Sequence, residues 1–271
     1  MRRSKKSLGS AILVSVLSAS MTFSMPAYAL TIDSNKTVNE NVTDGLRVNS
    51  EVNATINGNV SDKTEGGGKI VEINHESKVT INGDVNTNIE NRYGDLTVSG
   101  SVEAKVDDAE DSYYAGVSTS NGSTTIGKDV KVDTKTEGNA VYVQAVPEYG
   151  TTTGGNANVN VGGDISINGS GKTYVDEEIN EGDDAPDEID FCNPAGLSVA
   201  GKGNATVTAK VSGKIEASSK GVSTGISVST MDFPTVNDTG SVKIDISSGS
   251  VSASGDKEID KSQVGNFNNS E

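Results

Sequence analysis

The densest chemistry in this chain lies between Lys172 and Asn193. There Asp176, Glu177, Glu178, Glu181, Asp183, Asp184, Asp187, Glu188 and Asp190 face a single lysine. Oxygen-bearing side chains at alternate places, Asp176, Glu178 and Asn180, begin like a calcium-binding EF-hand loop. Such a loop needs glycine at its sixth place for a sharp turn, and here Glu181 stands there with Gly182 one place late. The expectation is weak, low-specificity Ca2+ association with Asp176, Glu178, Asp183, Asp184 and Asp187 as donors, set beside the plainer reading of a solvated charged loop. No other cofactor is expected.

Catalytic chemistry has little to draw on. After residue 29 the only arginines are Arg47 and Arg92, His75 is the only histidine, and Cys192 is the only cysteine. A lone cysteine excludes a disulfide framework and a cysteine-based zinc site. With 38 acidic residues, two carboxylates will meet somewhere by chance, so proximity alone carries no argument for acid–base catalysis. No nucleophile-elbow sequence supports a Ser-His-Asp triad. His75 falls between apolar segments in Glu72-Ile73-Asn74-His75-Glu76-Ser77 and reads as an exposed turn residue. No catalytic or cofactor-binding residue is assigned, and the chain is not expected to be an enzyme.

The first 29 residues carry an export address. Arg2, Arg3, Lys5 and Lys6 form a basic start, Leu8 to Met25 an apolar stretch diluted by serine, and Ala27-Tyr28-Ala29 a small-x-small cleavage site. Residues 1–29 are read as a signal peptide and 30–271 as the mature protein, exported to the cell surface or medium. Losing four basic residues and no acidic one takes the net charge from −16 to −20. A body this acidic repels nucleic acid and anionic lipid, which excludes both as partners. No second apolar run could insert in a membrane after cleavage.

The elements that must carry any site are announced by a recurring phrase: β-branched residue, spacer, glycine, spacer, β-branched residue. It occurs at Ile56–Val60, Ile81–Val85, Val98–Val102, Val161–Ile165 and Val211–Ile215. Ile126–Val130 keeps the apolar pair with Lys128 in the middle, and Ile246–Val251 reads as carrying one extra residue, a β-bulge. Around each glycine the apolar residues alternate with period two, as in Val79, Ile81, Gly83 and Val85, which means strands with one face inward. That reading puts the glycine on the inward row. Low aromatic content and the absence of Trp fit a thin interior filled by Val, Ile and Ala. The predicted fold is all-β, a right-handed parallel β-helix of about nine coils at roughly 25 residues each, with residues 172–193 as an acidic loop insertion. A row of β-sandwiches is the alternative. Thr151-Thr152-Thr153 and the outward threonines suggest an ice-binding face, but irregular coil lengths and interspersed charge count against the flat array this requires.

These phrases, with Gly155-Asn156-Ala157-Asn158-Val159-Asn160-Val161 and Gly203-Asn204-Ala205-Thr206-Val207, resemble bacterial exported repeat proteins of the autotransporter-passenger and adhesin-like kind. The resemblance is one of rhythm and composition. It implies a non-catalytic adhesive or structural scaffold meeting an extracellular glycan or protein. The alternative is a polysaccharide lyase or hydrolase on the same scaffold. Open solenoid ends would favour self-association, with residues 256–271 blunting one of them.

Overall fold

The computed structural model describes residues 30–62, 70–106, 115–135, 138–147, 155–170, 194–219, 223–230 and 242–255. Within them the chain is a right-handed parallel β-helix. Its strands lie in three parallel sheets of eight, eight and seven, and each coil adds one strand to each sheet. Leu46–Val48, Asn53–Ile56 and Val60–Ser61 make one coil, and Pro194–Gly201, Thr206–Val211 and Lys214–Ser219 another. The three members of each set belong to the first, second and third sheet in that order. Eight coils are stacked rather than about nine. At about 4.8 Å per coil the stack is about 35 Å long. Strand pairs between coils are parallel, which rules out the antiparallel sandwich.

Alternation decides what fills the interior. In the first sheet Leu46, Val71, Ile89, Val117, Val141 and Leu197 stand in one register column; in the third, Val60, Val85, Val102, Val130, Ile165 and Ile215 do. All are buried. Each such side chain contributes about 1.5–3 kcal/mol on leaving water. Stacking like on like needs no large aromatic, so the composition is what this narrow interior requires.

The glycine phrase is the corner between the second and third sheets. Its two apolar ends point inward from different strands, and the glycine sits on the turn: Gly58, Gly83, Gly163 and Gly213 are half-exposed. The expectation of an inward glycine within one strand is corrected accordingly. The residue next along the corner, Asn41, Asn59, Asp84, Asp129 or Asp164 in the first, second, third, fifth and sixth coils, turns its carbonyl or carboxylate oxygen along the axis. That oxygen accepts the backbone N–H one coil on: Asn59 to Asn41 at 2.9 Å, Asp84 to Asn59 at 2.9 Å, Ser101 to Asp84 at 2.8 Å, Asp164 to Asp129 at 2.9 Å, Lys214 to Asp164 at 2.8 Å.

This ladder explains the glycines. A Cβ at Gly58 would meet Asn41 Oδ1 at 2.7 Å, and at Gly83, Gly100, Gly163 and Gly213 it would meet the equivalent oxygen of Asn59, Asp84, Asp129 and Asp164 more closely still. Lack of space selects glycine here, since none of these corner glycines has a positive φ. Lys128 is the exception: the coil beneath it has Ser101 where the others have Asn or Asp. The corner never exceeds three residues, whereas the other two connections run from two residues to more than twenty.

The last coil departs from the expected bulge. Ile246 pairs with Ala209 and Ser250 with Lys214, so this corner has one residue fewer than the coil beneath. Beyond it no further coil is stacked among the described residues. Val228 and Val251 on the inward columns are 55% and 46% exposed there.

Gly213→Ala is expected to lower stability by about 1–3 kcal/mol through overpacking, and Lys128→Ala by under about 0.5 kcal/mol. In a denaturant double-mutant cycle, Asp164→Ala with Gly213→Ala should cost less than the two single changes together, because the closest clashing oxygen has gone while the Gly163 carbonyl at 2.8 Å remains.

Candidate functional site

The first-to-second corner is built differently. In coils four and five only two residues separate Arg92 from Asp95 and Ser120 from Ser123. To turn so sharply, Tyr93 and Asn121 adopt left-handed backbone, φ 82° and 53°. The turn's polar backbone points inward, where Asn91 serves it. Its Nδ2 donates to the Gly94 carbonyl at 2.9 Å, the Ser123 carbonyl at 3.0 Å and Thr124 Oγ1 at 3.0 Å, and its Oδ1 accepts the Gly94 N–H at 3.0 Å. Thr124 Oγ1 lies 2.7 Å from Thr119 Oγ1. All three side chains are fully buried in otherwise apolar columns. The sequence reading missed Asn91, whose signal was a polar residue on an inward step just before a shortened turn.

Tyr93 stands 40% exposed on the outside of that corner. It borders a groove of about 350 Å³ lined by Glu51, Asn53, Glu76, Lys78, Tyr93 and Asp95 among others. The register makes this groove the edge of an ordered surface. Every second residue points outward in Glu51–Asn57, Glu76–Asn82 and Tyr93–Ser99, strands of three successive coils with their flanking turn residues. The next outward column is Thr37, Thr55, Thr80, Thr97 and Thr125, five threonines in register. Beside it Asn57 Nδ2 donates to Asn39 Oδ1 at 2.7 Å and Asn82 Nδ2 to Asn57 Oδ1 at 2.8 Å, with Ser99 continuing the row. Regular threonines are therefore present on the second sheet, and the irregular coil lengths that counted against a flat array are absorbed at the other corners. Thr151-Thr152-Thr153 lie outside the described residues.

The first sheet gathers the arginines. Arg47 Nε donates to Glu72 Oε2 at 2.5 Å, and Arg92 Nε to Glu90 Oε1 at 2.7 Å. Arg47, Glu72 and Glu90 share one outward column, with Arg92 two residues beyond Glu90. Both arginine side chains are 52% exposed, so these pairs contribute about 0–1 kcal/mol each. His75 is exposed between Val71–Ile73 and Lys78–Ile81, as a turn residue, with its carbonyl accepting the Ser77 N–H at 2.7 Å. Further along this sheet, burial pushes the Tyr142 phenol above its ordinary value. Its hydroxyl donates to Gln144 Oε1 at 3.0 Å.

Among the described residues no three His, Cys, Asp or Glu side chains are placed to hold a metal. The calcium candidates Asp176, Glu178, Asp183, Asp184 and Asp187, and Cys192 with them, lie outside the described residues, as do residues 1–29 and 256–271. Comparison with protein families, curated proteins and solved structures finds no match to this chain.

Asn91→Ala would take the side-chain partner from the Gly94 N–H and the Ser123 carbonyl, while the Gly94 carbonyl keeps the Ser123 N–H, and should cost about 2 kcal/mol or more in urea unfolding. The Tyr142 shift sets a pH dependence. A raised folded pKa means the phenol's contribution is full below the ordinary tyrosine value and fades as pH rises through the raised one. The wild-type melting temperature should therefore fall in strongly alkaline buffer, and Tyr142→Phe should lessen that fall.

Proposed function

We propose that this chain is an exported, non-catalytic repeat protein of the bacterial surface or medium, acting as an adhesive or structural scaffold. The observation that carries the reading is the second sheet's outer flank. Side chains of one kind recur coil after coil, in uncharged columns of threonine and asparagine on a rigid side wall. Such a wall engages a partner over an extended area and concentrates no reactive groups at one point. The basic start, the apolar stretch and the Ala27-Tyr28-Ala29 site support export, and the rhythm of the repeats supports kinship in kind with adhesin-like passengers.

The polysaccharide lyase or hydrolase reading would have to use the outward ladder of Arg47, Glu72, Glu90 and Arg92, where the two arginines that follow residue 29 meet glutamates on a sheet face. Those groups are engaged with one another, which leaves them poorly suited to a substrate.

The test is fractionation of a bacterial host producing the full chain, followed by retention of the exported protein on cells, extracellular-matrix proteins and immobilised glycans. Export with retention on at least one surface, and no product release from acidic or neutral polysaccharides, is the expected result. Protein confined to the cytoplasm would overturn the export reading, and steady turnover would overturn the non-catalytic one.

A further inference from the structure

We propose that the second sheet's outer flank over coils two to four is a binding site for a neutral or amino-sugar polysaccharide. The inference rests on the adhesive reading and names its partner. Its basis is an array of twelve outward side chains, two on each of three strands and one on the turn at either end: Glu51, Asn53, Thr55, Asn57; Glu76, Lys78, Thr80, Asn82; Tyr93, Asp95, Thr97, Ser99. The strand members stand about 6.6 Å apart along a strand and about 4.8 Å apart between coils. Three kinds of group are arranged across the flank: a groove with one aromatic ring at the corner, a row of hydroxyls with methyls, then a row of amides.

Each kind suits a sugar. Tyr93 offers the apolar face of a ring, against which the C–H face of a pyranose packs, while its phenol end stays wet. The left-handed backbone at Tyr93, whose N–H donates to the Ser120 carbonyl at 2.8 Å, fixes the residue that carries this ring. Carboxylates at Glu51, Glu76 and Asp95 accept hydrogen bonds from sugar hydroxyls, the stronger for being charged. The asparagine row is already ordered by its own amide-to-amide bonds, so less side-chain freedom is lost when a ligand binds.

The same features select against other partners. Backbone donors and acceptors of a parallel coil run along the axis, from strand to strand, and do not point out of the flank. A peptide therefore cannot join this face as an added strand, the usual way a sheet takes one. Three carboxylates against Lys78 line the groove, on a chain of net charge −16 before any processing, so uronic-acid chains and other polyanions are repelled. A hydroxyl-rich chain without negative charge, or one bearing amines, meets no such penalty.

The experiment is depletion of the full-length exported protein by insoluble chitin, cellulose and chitosan, with polygalacturonate resin as the acidic control. Wild type should be retained on at least one of the first three and not on polygalacturonate. Tyr93→Asn removes the ring while keeping a residue that tolerates left-handed backbone. It should weaken retention about tenfold, as should Thr80→Val combined with Thr97→Val. Lys131→Ala, on the outer face of the third sheet, should change nothing. Far-ultraviolet circular dichroism and thermal melts keep folding losses apart from binding losses. Unchanged retention by both the Tyr93 and the threonine variants, or preference for polygalacturonate, would overturn the site. Retention on matrix protein but on no glycan would overturn the glycan assignment and leave the adhesive reading standing. Retention on nothing would count against both.

Discussion

Everything in this rod depends on how closely consecutive coils approach at the corner between the second and third sheets. There a side-chain oxygen of one coil takes the place a Cβ would need in the next, and accepts a backbone N–H in exchange. Space and hydrogen bonding are thus settled by a pair of residues in neighbouring coils: an Asn or Asp below, a glycine above. Because the pair fixes the height and register of most coils at one corner, the other two connections are free to vary in length. Ser61 to Val71 and Gly169 to Pro194 differ greatly in length, yet the strands they join keep their register.

That division of labour leads from packing to function. A solenoid with one invariant corner and two permissive ones has a regular wall next to the invariant corner. On the second sheet the wall displays threonine above threonine and asparagine above asparagine. The first sheet, between the two variable corners, carries a more mixed set: arginines paired with glutamates, then Ser118, Tyr142 and Ser198. Regularity and display therefore coincide on one flank because of where the chain is constrained. Where the first-to-second corner is tightest, an interior asparagine satisfies the turn and an aromatic ring is left outside at its edge.

Much of the fold could be read before any coordinates. The alternation in Val79-Thr80-Ile81 and its counterparts is a direct consequence of one face being buried, and the glycine phrase marks a sterically fixed corner. The residue after each glycine was an equally strong signal, since Gly58-Asn59, Gly83-Asp84 and Gly163-Asp164 spell out the ladder. Its meaning depends on the coil above, so no single copy reveals it. The threonine column was harder to see: partners in the adjoining asparagine row are separated by 18, 25 and 17 residues, because loops elsewhere set the period. Asn91 was hidden for a third reason. Its place in an apolar column is justified by the turn that follows, and pattern alone counts a polar residue there as an interruption. Register, rather than composition, carries the candidate surface.

The central claim is that the side-chain ladder at this corner holds the coils in register, and residue-resolved amide hydrogen exchange on the folded chain tests it most directly. The N–H groups of Asn59, Asp84, Ser101 and Asp164 belong to turn residues next to the strands, that of Lys214 to the first residue of its strand, and all are bound to Asn or Asp oxygens one coil away. Protection equal to that of interior strand amides such as Val85 and Val130 is the result this account requires. Exchange of those corner amides at the rate of ordinary exposed turns, while the strands stay protected, would contradict it.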